Sequence, residues 1–252
     1  LHPRVRRQRQ MCIRDRACWV RQGLCDEENS LKAIDRVDEL IHHIYRQVEM
    51  NGEQCAIART PDDLSRLKTE GKKAFYIGIE NGYGIGKDLK NITRFHDAGV
   101  TYITLCHTRN NDICDSSSDT TARWNGLSPY GRKVVKEMNR LGIMIDLSHA
   151  AESTFWDVLK YSKAPVIVSH SSASAIYRHD RNLTDEQLGQ AVDSFLQIHT
   201  EEIQEDGLDT YHCHRYEPTP YRVLEVLFDA FPLTKEDVLL DYGSGLGRLA
   251  FY

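Results

Sequence analysis

The sequence predicts an α/β fold with parallel strands. Three observations predict it: four short runs rich in Val, Ile, Tyr and Thr, helical patterns between them, and a glutamate or histidine at the end of each run. The runs are residues 74–80, 101–107, 143–149 and 165–170, and they read as strands. Between them, 87–98, 130–141 and 152–162 repeat apolar residues at helical spacing. Alternation of strand and helix builds a parallel sheet and excludes an all-α or all-β domain.

Ahead of the first run, residues 31–50 carry Ile34, Val37, Leu40, Ile41, Ile44 and Val48 on one helical face, with Asn51-Gly52 as a stop. Thr60-Pro61-Asp62-Asp63 supplies an N-cap, a proline in the first turn and early acids, so a second helix is expected over 61–69. Residues 1–16 differ from the rest, with six arginines and a single acid. This segment lacks the aromatic interleaving and amphipathic spacing of a nucleic-acid arm, and Gln8 to Arg16 resembles a translated sequencing adaptor, so 1–16 is expected to be foreign sequence. A third segment, 189–252, begins with polar helix-like sequence, continues through an amphipathic helix at 221–231 and finishes on an apolar strand and glycine turn at 238–248.

A net charge of −5, with 40% apolar and 27% charged residues, describes an ordinary soluble globular chain and gives no reason to expect a nucleic-acid partner. No run approaches the ~18–20 apolar residues of a membrane-spanning helix, and no apolar core follows the first arginines. Neither a transmembrane segment nor a signal peptide is expected, and localisation stays open. The seven cysteines form no Cys-x-x-Cys pair, which argues against a zinc ribbon or a thioredoxin-like site and for reduced thiols.

Glu80, His107, His149 and His170 end the four runs. In a parallel β/α barrel all strand C-termini open on one face, so residues about 20 to 40 positions apart in sequence converge there. The residue types suit metal chemistry, because zinc accepts neutral imidazole nitrogen and carboxylate oxygen, and a carboxylate such as that of Glu80 can bridge two ions. Two ions together activate a water and polarise the carbonyl it attacks. One histidine at a strand end is usually a hydrogen-bonded structural residue, but four such residues on successive strands point to a site. His2, His42, His43, His96, His179, His199, His212 and His214 have no comparable placement and read as surface or loop residues.

The motifs Ile77-Gly78-Ile79-Glu80-Asn81-Gly82, Tyr102-Ile103-Thr104-Leu105-Cys106-His107, Ile145-Asp146-Leu147-Ser148-His149 and Val166-Ile167-Val168-Ser169-His170-Ser171-Ser172-Ala173, followed by Arg181-Asn182-Leu183-Thr184-Asp185, resemble the membrane (renal) dipeptidase family of zinc metallopeptidases over residues 17–188. The resemblance implies a partial (β/α)8 TIM-like barrel of the metal-dependent hydrolase type and hydrolysis of dipeptides. By it, Glu80 bridges two zinc ions and His149 with His170 completes the second. His107 then serves catalysis and substrate binding by donating to the tetrahedral oxyanion, and Arg181 pairs the substrate's C-terminal carboxylate. The resemblance also suggests a homodimer and an exported or membrane-associated setting. The long polar loop 108–128 is expected to wall the substrate cleft, with Trp124 either packing that wall or simply anchoring it.

The family's His-x-Asp pair on a first strand has no counterpart here, since His2 is followed by Pro3 and Arg4, and the late aspartate that shuttles a proton is not found where the resemblance fades, between 188 and 193. At most one zinc and an impaired or inactive fragment are therefore expected. In the tail, Asp241, Gly243, Gly245 and Gly247 are similar to the first cofactor loop of class I S-adenosylmethionine methyltransferases, although an ordinary strand-to-helix turn fits them equally. The sequence reads as a dipeptidase fragment joined at both ends to foreign sequence. The other readings it leaves open are a truncated methyltransferase and a non-catalytic barrel remnant.

Overall fold

The computed structural model describes residues 13–196 of the chain. These divide into two compact units, one of residues 13–104 and 137–144, the other of residues 105–136 and 145–196. The expected tail elements at 221–231 and 238–248, with Asp241, Gly243, Gly245 and Gly247, lie outside the described residues. No helix among the described residues is long and apolar enough to cross a membrane.

The first unit contains, in order, β1 (Ile13–Trp19), α1 (Glu27–Met50), β2 (Cys55–Ile57), α2 (Pro61–Thr69), β3 (Lys73–Glu80), α3 (Lys90–Asp97) and β4 (Val100–Thr104). Every strand pair in it is parallel. β1 runs beside β3 from Ile13↔Ala74 to Trp19↔Glu80. Since that edge of β3 is taken, β2 and β4 occupy successive stretches of the other, at residues 73–75 and 77–80.

Local chemistry accounts for the helices. Asp26 caps α1 by accepting from the Asn29 amide at 2.8 Å, so the helix starts one turn earlier than the periodicity alone suggests. Val37 and Ile41 are buried, and Ile34, Leu40, Ile44 and Val48 are half-buried on the expected face. α2 spans the expected residues and has a reciprocal cap: the Asp63 amide donates to the Thr60 hydroxyl and the Thr60 amide to the Asp63 carboxylate. With the Arg59 amide as the largest contribution, these bonds hold the Asp63 carboxyl down at about 2. Leu67 of α2 seats against Ala58 and Ala74, with Leu64 and Tyr76 around them.

β1 and β2 were not expected as strands. An arginine-rich segment carries a weak strand signal, yet Cys18 is fully buried, Arg16 lies over the Phe75 ring at 5.1 Å, and Asp15 accepts from the Tyr102 hydroxyl at 3.1 Å. The boundary expected between residues 16 and 17 therefore falls inside a strand.

That Tyr102 contact depends on a glycine. Tyr102 pairs with Gly78 on β3, and its ring crosses the glycine to reach β1; a Cβ at Gly78 would sit 2.0 Å from Tyr102 Cζ. Gly78→Ala is thus expected to lower the unfolding free energy by about 1–3 kcal/mol through overpacking. Urea unfolding checks this, and an unchanged midpoint would show that the ring can move aside.

The second unit contains the last two residues of β5 (Met144–Asp146), then α5 (Glu152–Tyr161), β6 (Val166–Ile167) and α6 (Asp185–Leu196). α4 (Pro129–Leu141) begins in the second unit and ends in the first, and β5 (Met144–Asp146) has its first residue in the first unit. β5 and β6 are parallel. α6 runs through residue 189, so the expected break at 188–193 falls within a helix. The fold class is α/β with parallel strand pairs, as expected.

Candidate metal centre

Only Glu80 is the last residue of its strand. β4 stops at Thr104, β5 at Asp146 and β6 at Ile167, so His107, His149 and His170 each stand three residues beyond the strand that delivers them. This corrects the strand ends expected from composition. The apolar alternation continues past the point where the backbone leaves the ladder, and the last such bond on β5's side is Leu147 N–H to Ile167 O at 2.9 Å. Glu80 is half-buried at the carboxyl end of β3.

In the second unit the three histidines converge. The His107 and His149 ring centroids are 4.2 Å apart, and those of His149 and His170 are 4.8 Å apart. The Nε2 atoms of His149 and His170 face one another at 2.8 Å. His149 is buried and has φ +68°, a left-handed conformation uncommon for a residue other than glycine and costing about 1–3 kcal/mol. Its backbone is pinned there, because its carbonyl accepts from the Ser117 amide at 2.9 Å and from the Cys106 thiol at 3.4 Å.

Beneath His170 lies a hydrogen-bonded set that sequence reading missed. Asp146 is fully buried; its Oδ1 accepts from the Ser148 amide, the Ser148 hydroxyl and the Ser169 amide, and its Oδ2 from the Ser169 hydroxyl at 2.6 Å. Ser169 Oγ is 2.7 Å from His170 Nδ1, and the His170 amide donates to Ser148 Oγ. The available signal was an aspartate set between the apolar Ile145 and Leu147, where a buried charge requires partners.

Residues 108–128 are ordered by two other buried polar side chains. Asn111 Oδ1 accepts from the Ile113 and Cys114 amides, and its Nδ2 donates to the Leu105 carbonyl. Asp115 accepts from the amides of Arg123, Trp124 and Gly126. The loop grips the site backbone through the Ser116 hydroxyl, which donates to the His107 carbonyl. Trp124 anchors it, its indole N–H donating to Asn111 O at 2.8 Å.

Arg181 is half-buried in the loop between β6 and α6, which closes on itself through Ser172 N–H to Asn182 Oδ1 at 2.9 Å and Leu183 N–H to Ser172 O at 2.9 Å. Its Nε is buried without a hydrogen-bond partner among the described residues. His42, His43 and His179 are exposed and His96 is half-buried, in line with surface roles. Cys18, Cys25, Cys55, Cys106 and Cys114 are free thiols; burial pushes Cys18 up to about 12 and Cys114 well above the ordinary range, so neither is poised as a nucleophile.

The pattern of the family described as membrane dipeptidase (peptidase family M19) matches residues 9–200. The chain belongs to this family. It is 41% identical over 145 residues to dipeptidase tcpJ of Claviceps purpurea, covering 58% of this chain and 34% of that relative. The structure of the probable dipeptidase PvdM from Pseudomonas aeruginosa superposes with a TM-score of 0.63 at 31% identity, over 66% of this chain and 43% of the other. The dipeptidase AC, a metallopeptidase of family M19, gives 0.65 at 26% identity, over 73% and 57%. The chain thus spans about a third of the length of that curated relative. The facing Nε2 atoms of His149 and His170, 2.8 Å apart, are of the donor type that zinc accepts.

Proposed function

We propose that this chain carries part of the site of a zinc-dependent dipeptidase, and that its own share of the site holds a single zinc ion. The observation that supports it most directly is the facing Nε2 pair of His149 and His170. By the family resemblance Glu80 adds a carboxylate ligand; three protein ligands leave one position of a tetrahedral zinc open. When bound there, zinc supplies an activated water and a polarised substrate carbonyl.

The remaining steps belong to the chain's side chains. By the family resemblance His107, half-buried with its ring tilted against His149, donates a proton toward the oxygen of the attacked carbonyl. Arg181, whose Nε–H has no hydrogen-bond partner among the described residues, offers its guanidinium to a dipeptide's terminal carboxylate. The left-handed backbone of His149 keeps its imidazole aimed at His170 at the cost of local strain.

The His-x-Asp pair that the resemblance implies for the other ion is not found in residues 1–79. Zinc analysis of the purified 252-residue chain is therefore expected to show about one ion per molecule, with dipeptide hydrolysis close to the uncatalysed background. Two tightly held ions with robust turnover would overturn the single-ion reading, and failure to retain any zinc would overturn the site itself.

A further inference from the structure

Buried Asp146 and half-buried Ser169 lie beside His170 and have no role in the proposed function, on which the inference here rests. A carboxylate oxygen can only accept a hydrogen bond, and a serine hydroxyl has one proton to give. Asp146 Oδ2 and Ser169 Oγ are 2.6 Å apart, so the Ser169 proton points at Asp146. The same Oγ lies 2.7 Å from His170 Nδ1 and, with its proton committed, it can only accept there. His170 Nδ1 must then carry the ring proton, and His170 Nε2 is left with its lone pair turned toward His149.

The orientation of Asp146 is held independently of the histidine. Oδ1 accepts three donors, from the Ser148 amide at 3.0 Å, the Ser148 hydroxyl at 2.9 Å and the Ser169 amide at 2.9 Å. These fix which carboxylate oxygen faces Ser169. The Ser148 hydroxyl also accepts from the His170 amide at 3.1 Å, so backbone and ring of His170 are both set by this cluster.

We infer that Asp146, acting through Ser169, is a positioning residue that fixes the Nδ1–H tautomer of His170 and so keeps Nε2 available as a metal donor. Outer partners of a ligating histidine typically change metal affinity about 10- to 100-fold. An ordinary structural role for Asp146 would support the fold without dictating which ring nitrogen carries the proton.

The test combines nitrogen-15 NMR of the histidine rings in the metal-free full chain, at a pH where they are neutral, with calorimetric zinc titration. A His170→Ala chain assigns the signals. The wild-type ring is expected as the Nδ1–H tautomer. Ser169→Ala should release that preference and weaken zinc about 10- to 100-fold, and Ser169→Thr, which keeps the hydroxyl, should restore both. Asp146→Asn gives the sharpest result. Its Oδ1 stays with the three donors, its amide donates to Ser169 Oγ, the serine proton turns to His170 Nδ1, and the tautomer reverses to Nε2–H. A wild-type Nε2–H ring, or a tautomer unmoved by Asp146→Asn in a folded chain, overturns the inference. The expected tautomers in a chain that takes up no zinc would uphold this arrangement and defeat the dipeptidase reading instead.

Discussion

His149→Ala is expected to take zinc binding from about one ion per chain to none detectable at micromolar metal, with little loss of folded protein. The imidazole is one of three proposed ligands, and two ligands rarely retain zinc against water. The backbone at 149 is held by its own carbonyl bonds to Ser117 and Cys106 rather than by the ring, so alanine inherits the same left-handed strain without adding a cavity in an apolar core. His107→Ala serves as the contrast: by its proposed role it contacts substrate, and that variant should keep its zinc. Metal analysis after gel filtration and thermal unfolding of both variants make the comparison. Zinc retained by His149→Ala and lost by His107→Ala would mean that the roles of the two tilted rings are exchanged, and zinc lost equally by both would make His107 a ligand as well.

Asp115→Ala should produce the largest loss of stability, about 3–9 kcal/mol from three stranded donors at about 1–3 kcal/mol each. The Arg123, Trp124 and Gly126 amides all donate to this carboxylate, which is 1% exposed, so water has no easy route to replace it. A loss of that size approaches the whole folding free energy of many domains, so the variant is expected to be largely unfolded or to lose the order of residues 108–128. Asp115→Asn keeps one acceptor oxygen and should fall between. Urea unfolding followed by tryptophan fluorescence measures both effects. A change below about 1 kcal/mol would show that the three amides find other partners once the carboxylate is gone.

Much of the molecule was legible because its signals are local. The capped start of α2 follows from Thr60-Pro61-Asp62-Asp63, and the apolar face of α1 from residues three and four apart. Strand extents were less legible: alternation in 101–107 and 143–149 continues beyond the residues that pair, because alternation reports burial of side chains and not the backbone ladder. β1 was hidden for the opposite reason. Its arginines carry little strand propensity, and only the edge of β3, some 60 residues away, makes the segment extended.

At the site the division is the same. Glu80, His107, His149, His170 and Arg181 could be picked out because their residue types and family motifs are visible along the chain. The sequence alone therefore determined the α/β class, the helices and the candidate ligands. Tertiary structure decided that His149 takes a left-handed backbone, that its Nε2 meets that of His170, that Asp146 reaches His170 through Ser169, and that Asn111 and Asp115 shape the loop. Each of these is a hydrogen bond or ring contact whose strength depends on burial and on the position of a partner that chain turns bring near, and neither quantity is encoded in the identity of the residues next to it.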